Sequence, residues 1–193
     1  KVIVYPDTWL SAKDPSTYYP IFEAAGYVAA EKKSDRLNFV MFDCYSDDSS
    51  VNDYTHLDIL ANDPSVVLCL SSTKTHAMQS VRRMLVELKL REILNPVLLV
   101  TDSPAQTPDE HLIHFAAETG ALLLDGMGDG ICLGYTRLAK MDTVQAKGRT
   151  YLPVQNIYQF TNNTAFSILQ ATRCRISKTE YNSCPSCGRT LFD

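Results

Sequence analysis

Short apolar runs alternate along this chain with stretches whose apolar residues recur at helical spacing. The runs 2–5, 37–43, 66–70, 97–101 and 121–125, the last continuing at 131–133, predict strands. They lack strict alternation with polar residues, which predicts strands covered on both faces, as in parallel sheets. Between them, Met78, Val81, Met84, Leu85 and Leu88 mark one face of a helix over 75–93, with Arg82, Arg83, Glu87 and Lys89 elsewhere on its surface. The next helix carries its own start signal. Thr107 is an N-cap, Pro108 suits the first helical position, and Glu110 completes a capping box. Gly120 fits a helix C-terminus just ahead of the apolar run Ala121-Leu122-Leu123-Leu124. A last helix is predicted from Asn162 or Asn163 through Ala165, Phe166, Ile168 and Leu169 to about Arg175.

Strand–helix alternation of this kind implies right-handed crossovers and an α/β architecture: parallel strand–helix repeats in an open sheet or part of a barrel. The strands are too few for a complete eight-stranded barrel. Between 135 and 159 the pattern weakens to a long connection, with a short strand expected at 151–154. A boundary is expected near 176–182, separating an α/β unit (1–176) from a short extension (177–193) with too little apolar content for a core. The opening Lys1-Val2-Ile3-Val4-Tyr5-Pro6 has no methionine and no signal-peptide layout, and suggests a cut before or inside a strand.

Composition narrows the function classes. With 45% hydrophobic and 21% charged residues the chain has ordinary globular character. A net charge of -4 gives no electrostatic reason to bind nucleic acid or an acidic membrane surface. No apolar run approaches the roughly 20 residues that cross a bilayer.

The six cysteines divide into two kinds. Cys44, Cys69, Cys132 and Cys174 lie singly within or beside apolar stretches, where a free cysteine behaves as a small hydrophobe. Their uneven spacing is not that of a secreted disulfide framework and fits a reducing compartment. Cys184-Pro185-Ser186-Cys187-Gly188 is different. Two intervening residues let both sulfurs face one metal while backbone N–H groups point at the thiolates. A zinc site, an iron–sulphur cluster or a redox dithiol could use this pair. One pair is half a metal site, and the other four cysteines supply no second pair. Remaining ligands must come from sequence outside the chain or from another chain.

Other candidates are weaker. The glycine-rich run from Asp125 to Gly130 could approach a phosphate through its N–H groups, but it lacks the lysine and hydroxyl of a P-loop; a tight turn at a strand end is the plainer reading. His111 and His114, one helical turn apart without a third ligand, are expected on a solvated or partly packed helix face. Asp47-Asp48-Ser49-Ser50 is expected to be a solvated loop.

Three stretches carry a family resemblance. The end of the chain, from Lys178-Thr179-Glu180-Tyr181 through Cys184-Pro185-Ser186-Cys187-Gly188 to Leu191-Phe192-Asp193, resembles the entry to the cluster domain of the 4-hydroxy-3-methylbut-2-enyl diphosphate synthase family, in its long form. Gly120 to Gly130 is similar to that family's Gly-Asp turn, and Asn163 to Arg173 to the helix leading into its cysteine motif. The resemblance covers roughly 120–193, apart from the connection near 135–159. It implies an extra middle domain, a degenerate relative of a TIM-like barrel, followed by the start of an iron–sulphur domain. In the family three cysteines and a glutamate hold a [4Fe–4S] cluster. Cys184 and Cys187 match the first two, while the third cysteine and the glutamate lie in a stretch absent here. The resemblance further implies reductive ring opening of 2-C-methyl-D-erythritol 2,4-cyclodiphosphate with electrons from ferredoxin or flavodoxin, in bacterial cytoplasm or plastid stroma. It implies no catalytic residue in this piece, which is expected to be inactive alone. A non-catalytic assembly module ending in half of a zinc knuckle is the competing expectation.

Overall fold

The structure, a computed structural model, describes residues 2–45, 54–136, 156–177 and 179. Among the described residues six strands form one sheet: β1 (Val2–Val4), β2 (Tyr18–Glu23), β3 (Asn38–Asp43), β4 (Val66–Ser71), β5 (Val97–Ser103) and β6 (Gly130–Tyr135). Each strand pairs in parallel with the next in sequence, so the spatial order is β1 to β6 without a break. The helices between them are α1 (Pro6–Ser11), α2 (Ala24–Ala29), α3 (Thr55–Ala61), α4 (Ala77–Leu90), α5 (Pro108–Phe115) and α6 (Ala121–Leu124), and α7 (Ile157–Ala171) follows β6. Sequential parallel strands joined by right-handed crossovers place every connecting helix on the same side. The result is an open, curled half-barrel, as the strand–helix pattern predicts.

The register divides the strand residues between two faces. Phe22, Val40, Phe42, Val66, Leu68, Leu70, Val97 and Leu99 all lie on the helix-covered face and are buried, joined there by Leu57, Leu60, Val81, Met84, Leu88 and Phe115. The alternating residues Ile21, Phe39, Met41, Val67, Leu98 and Val100 line the concave face and are half-buried. Asn38 and Tyr27 show how polar groups inside the covered layer are matched. Asn38 is fully buried; its Nδ2 donates to the Ser34 carbonyl (2.8 Å) and Ser65 Oγ (2.9 Å), and its Oδ1 accepts from Ser34 N (2.9 Å). Tyr27, also buried, donates its hydroxyl to Asp63 and fastens α2 to the turn after α3. Burial, reinforced by that carboxylate, pushes the Tyr27 phenol up to about 12.

Three local expectations change. The strand β2 has no counterpart in the sequence reading, because Pro20 interrupts the run Tyr18-Tyr19-Pro20-Ile21-Phe22-Glu23 and proline is rare inside sheets. Here the strand changes partners at that point: 18–20 pair with β1 and 21–23 with β3.

The run 121–125 is not a strand. The chain remains helical from Pro108 through a π-helical segment, Ala116–Gly120, into α6, with Gly120 itself at φ -64, ψ -38. Leucine and alanine are strong helix formers, and burial of Leu122 and Leu123 keeps the helix turning past Gly120. It stops instead at Gly126. There φ is +70, Gly126 N donates to the Leu123 carbonyl (3.0 Å) and Met127 N to the Leu122 carbonyl (2.9 Å), a Schellman cap. The capping box at Thr107 and Glu110 forms as expected.

The last helix starts earlier than Asn162. Asn156 caps it by accepting from Gln159 N at 2.9 Å, and Thr164 and Phe160 are buried with Ile168. The strand expected at 151–154 lies outside the described residues, as does the loop at Asp47 and Asp48.

Two glycines separate the turn's demands from simple helix propensity. Gly128 combines φ +92 with Leu99 atoms 2.8 Å from where a Cβ would stand, whereas Gly26, inside α2, has nothing within 4 Å. Gly128→Ala should therefore lower unfolding stability by about 2–4 kcal/mol, through left-handed strain and overpacking. Gly26→Ala should raise it by up to about 1 kcal/mol. Urea unfolding of both variants measures the contrast; equal midpoints would contradict it.

Candidate metal centre and the mouth of the sheet

The metal-ligating candidates Cys184 and Cys187 lie outside the described residues. The structure does describe what leads to them. Helix α7 packs on the π-helical segment and β6, with Ile168 Cγ2 3.7 Å from where a Gly120 Cβ would stand, and from its end the chain runs on toward the cysteine pair.

The remaining cysteines separate by burial. Cys44 and Cys69 are fully buried, and burial pushes the Cys69 thiol up to about 12 and the Cys44 thiol higher still. A thiol held protonated in this way is neither a nucleophile nor a ready metal ligand. Both behave as the small hydrophobes expected of them. Cys132 and Cys174 differ from that expectation: both are exposed, Cys132 on the concave face of the edge strand β6 and Cys174 just past α7. Among the described residues no three His, Cys, Asp or Glu side chains converge on a possible metal position.

Open α/β sheets bind ligands at the carboxyl ends of their strands. A cleft of ≈ 490 Å³ does sit there, at the ends of β4 and β5, bordered by Ser71, Thr73, Lys74, Asp102 and His114. Of these only His114 is a candidate in the sequence, since Ser71-Ser72-Thr73-Lys74 matches no phosphate motif. Their hydroxyls are committed within the protein. Ser71 Oγ donates to the Phe42 carbonyl (3.3 Å) and Ser72 Oγ to the Cys44 carbonyl (2.9 Å). Thr73 gives both its N–H (2.9 Å) and its Oγ1–H (2.7 Å) to the Asp43 carboxylate. These bonds knit the end of β3 to the end of β4; the mouth is built as a brace between strands.

The Gly-rich stretch is a turn, as the plainer reading has it, but at a helix end. A helix C-terminus carries negative partial charge, which disfavours a phosphate. The stretch instead fastens β5 to β6: Val97 N donates to Asp129 Oδ2 and Asp129 N to the Val97 carbonyl, both at 2.8 Å. Asp125 adds an ion pair with Arg82 at 2.5 Å, exposed enough to contribute little.

The two histidines part company. His114 is half-buried, but His111 is fully buried, not on a solvated face, with Nδ1 2.7 Å from Ser103 Oγ. Burial draws its pKa below the ordinary histidine value; Glu110 acts weakly against that and His114 with it. The residue at i+4, Phe115, also faces inward, a signal that marked this stripe of α5 as core.

Comparison with known proteins then bears on the same span. Over 146 residues, 72% of this chain, it is 34% identical to the protein named 4-hydroxy-3-methylbut-2-en-1-yl diphosphate synthase (ferredoxin), chloroplastic, of Oryza sativa subsp. japonica, covering 17% of that relative. The protein of that name from Arabidopsis thaliana is 36% identical over 145 residues, 72% of this chain and 17% of its own. The flavodoxin-named synthase of Parabacteroides distasonis is 37% identical over 137 residues, 71% of this chain and 20% of its own. This chain is homologous to one segment of these synthases. It spans a fifth or less of the length of the curated relatives it matches. A match of 146 residues is longer than the 120–193 stretch that carries the motifs, so the kinship to the synthases reaches well into the upstream strands. No family model and no solved structure matches the chain.

Thiol chemistry tests the division among the cysteines. In the native chain, iodoacetamide should label Cys174 and Cys132 at least about tenfold faster than Cys44 and Cys69, and denaturant should abolish the difference. Peptide mass spectrometry reads the order. Fast native labelling of Cys69 would contradict the packing.

Proposed function

We propose that this chain is the scaffold segment and cluster-domain entry of an iron–sulphur oxidoreductase of non-mevalonate isoprenoid synthesis. Residues 1–176 form the middle α/β unit and 177–193 open the cluster domain. Cys184 and Cys187 supply two thiolates to a [4Fe–4S] cluster, and a third cysteine and a glutamate complete the set from elsewhere in a longer polypeptide. When bound, the cluster supplies single electrons at low potential. The reaction of the whole enzyme is the two-electron reductive ring opening of 2-C-methyl-D-erythritol 2,4-cyclodiphosphate, with loss of water, to 4-hydroxy-3-methylbut-2-enyl diphosphate. Ferredoxin or flavodoxin donates the electrons, in bacterial cytoplasm or plastid stroma.

The observation that carries this reading is the homology with the synthases over 72% of the chain. The internally bonded strand ends support the scaffold part: the hydroxyls at the mouth of the sheet bond to neighbouring strands. What this chain's own residues do is therefore hold and orient. The sheet seats α7, the last described helix before the cysteine pair in the sequence. Among the described residues no helix is long and apolar enough to cross a membrane.

The test uses the longer polypeptide purified without air. Cys184→Ser or Cys187→Ser should remove the visible cluster absorbance and lower turnover at least about 100-fold, the upper end of what loss of a mere supporting group costs. Circular dichroism should show the α/β portion intact. Zinc at the pair would favour the assembly-module alternative, and full activity with retained iron in either variant would refute the assignment.

A further inference from the structure

His111 sits where four elements meet, with one more nitrogen than the site can serve. Its ring is fully buried, stacked on Phe115 at 6.1 Å and set edge to face with Tyr135 of β6 at 4.8 Å. Nδ1 lies 2.7 Å from Ser103 Oγ at the end of β5, and Nε2 is buried without a hydrogen-bond partner among the described residues. Tyr135 carries the contact onward. Its hydroxyl lies 2.6 Å from Thr161 Oγ1 of α7, and since Thr161 donates to the Ile157 carbonyl (2.8 Å), Tyr135 is the donor. The cluster therefore links α5, β5, β6 and α7 in one chain of contacts.

A neutral imidazole needs one donor position served and leaves Nε2 as a buried lone pair or a single N–H. An imidazolium has two N–H groups, and the second meets no acceptor among the described residues. The titratable groups bearing on the ring are Glu110 and His114 of its own helix and the Tyr135 phenol of β6; β5 offers only the Ser103 hydroxyl, and α7 only Thr161 through Tyr135. Glu110 is no counter-ion at Nε2, because its carboxylate accepts from Thr107 N (3.1 Å) and Gln106 N (3.3 Å) in the capping box.

We propose that the His111 cluster is an acid-sensitive latch on α7: protonation of the ring releases Ile157–Ala171 from the sheet while the strands stay paired. α7 and α4 share one core, with Ile168 of α7 in the same cluster as Val81, Met84 and Leu88 of α4, but α7 is tied to the His111 ring through Tyr135 and Thr161. The sign follows from linkage. The seated ring resists protonation, so the closed form binds fewer protons than the open form. Seating is complete above the open-form pKa of about 6.5 and weakens as pH falls through it, by up to about tenfold per pH unit.

The test is hydrogen exchange on the full chain from pH 7.5 to 5, corrected for intrinsic exchange, with NMR titration of the His111 ring in parallel. The expected result is falling protection of the Ile157–Ala171 amides below about pH 6.5 with α4 unchanged, and a pH-independent α7 in His111→Phe. His111→Gln, which keeps a polar group toward Ser103, should also lose the pH dependence. Flat α7 protection in the unsubstituted chain overturns the proposal whatever the variants do. So does an imidazole that titrates at its ordinary value without α7 opening, pH dependence surviving in both variants, or α4 opening in step with α7.

Discussion

The parallel pairing of each strand with its sequence neighbour governs everything else in this molecule. Once β1 to β6 lie in chain order, right-handed crossovers leave the connecting helices only one side of the sheet. That side becomes the core, where Val40, Leu57, Leu60, Val66, Leu68 and Met84 are all fully or almost fully removed from solvent. The other side becomes a concave surface of half-buried apolar residues. The same constraint sets the strand ends side by side, which is why Asp43, Ser71 and Ser72 can be cross-bonded into a brace.

A sheet fastened in this way suits a positioning role. Its polar ends serve neighbouring strands, its two buried thiols are held protonated, and the sole close pair of cysteines in the chain stands beyond the last helix. Homology with the synthases gives this arrangement a context, since it corresponds to one segment of much longer proteins. The His111 cluster joins α7 to β5 and β6 through Ser103, Tyr135 and Thr161.

Much of the fold was legible in residue pattern. Five of the six strands, the long amphipathic helix with Met84 and Leu88 inward, and the capping box at Thr107 and Glu110 follow from local rules that tertiary contacts did not overturn. The misses share one cause. Pro20 argues against a strand and Gly120 for a helix end only on local grounds, and in both places the neighbours decide otherwise. Pro20 falls where β2 exchanges one partner strand for another, and Gly120 stays helical because Leu122 and Leu123 have a core to enter. The histidines show the same limit, since spacing placed His111 and His114 on one face but not the depth of that face.

By itself the sequence determined the α/β class, the cysteine pair and the kinship, because covalent spacing, helical periodicity and homologous residues are properties of the linear chain. Only the tertiary structure decided which face of the sheet is covered, that the Gly-rich run caps a helix, and that His111 is buried against Ser103 with no partner for its second nitrogen among the described residues. Each of those depends on groups distant in sequence being brought together, and burial has no meaning for a residue until its neighbours are in place.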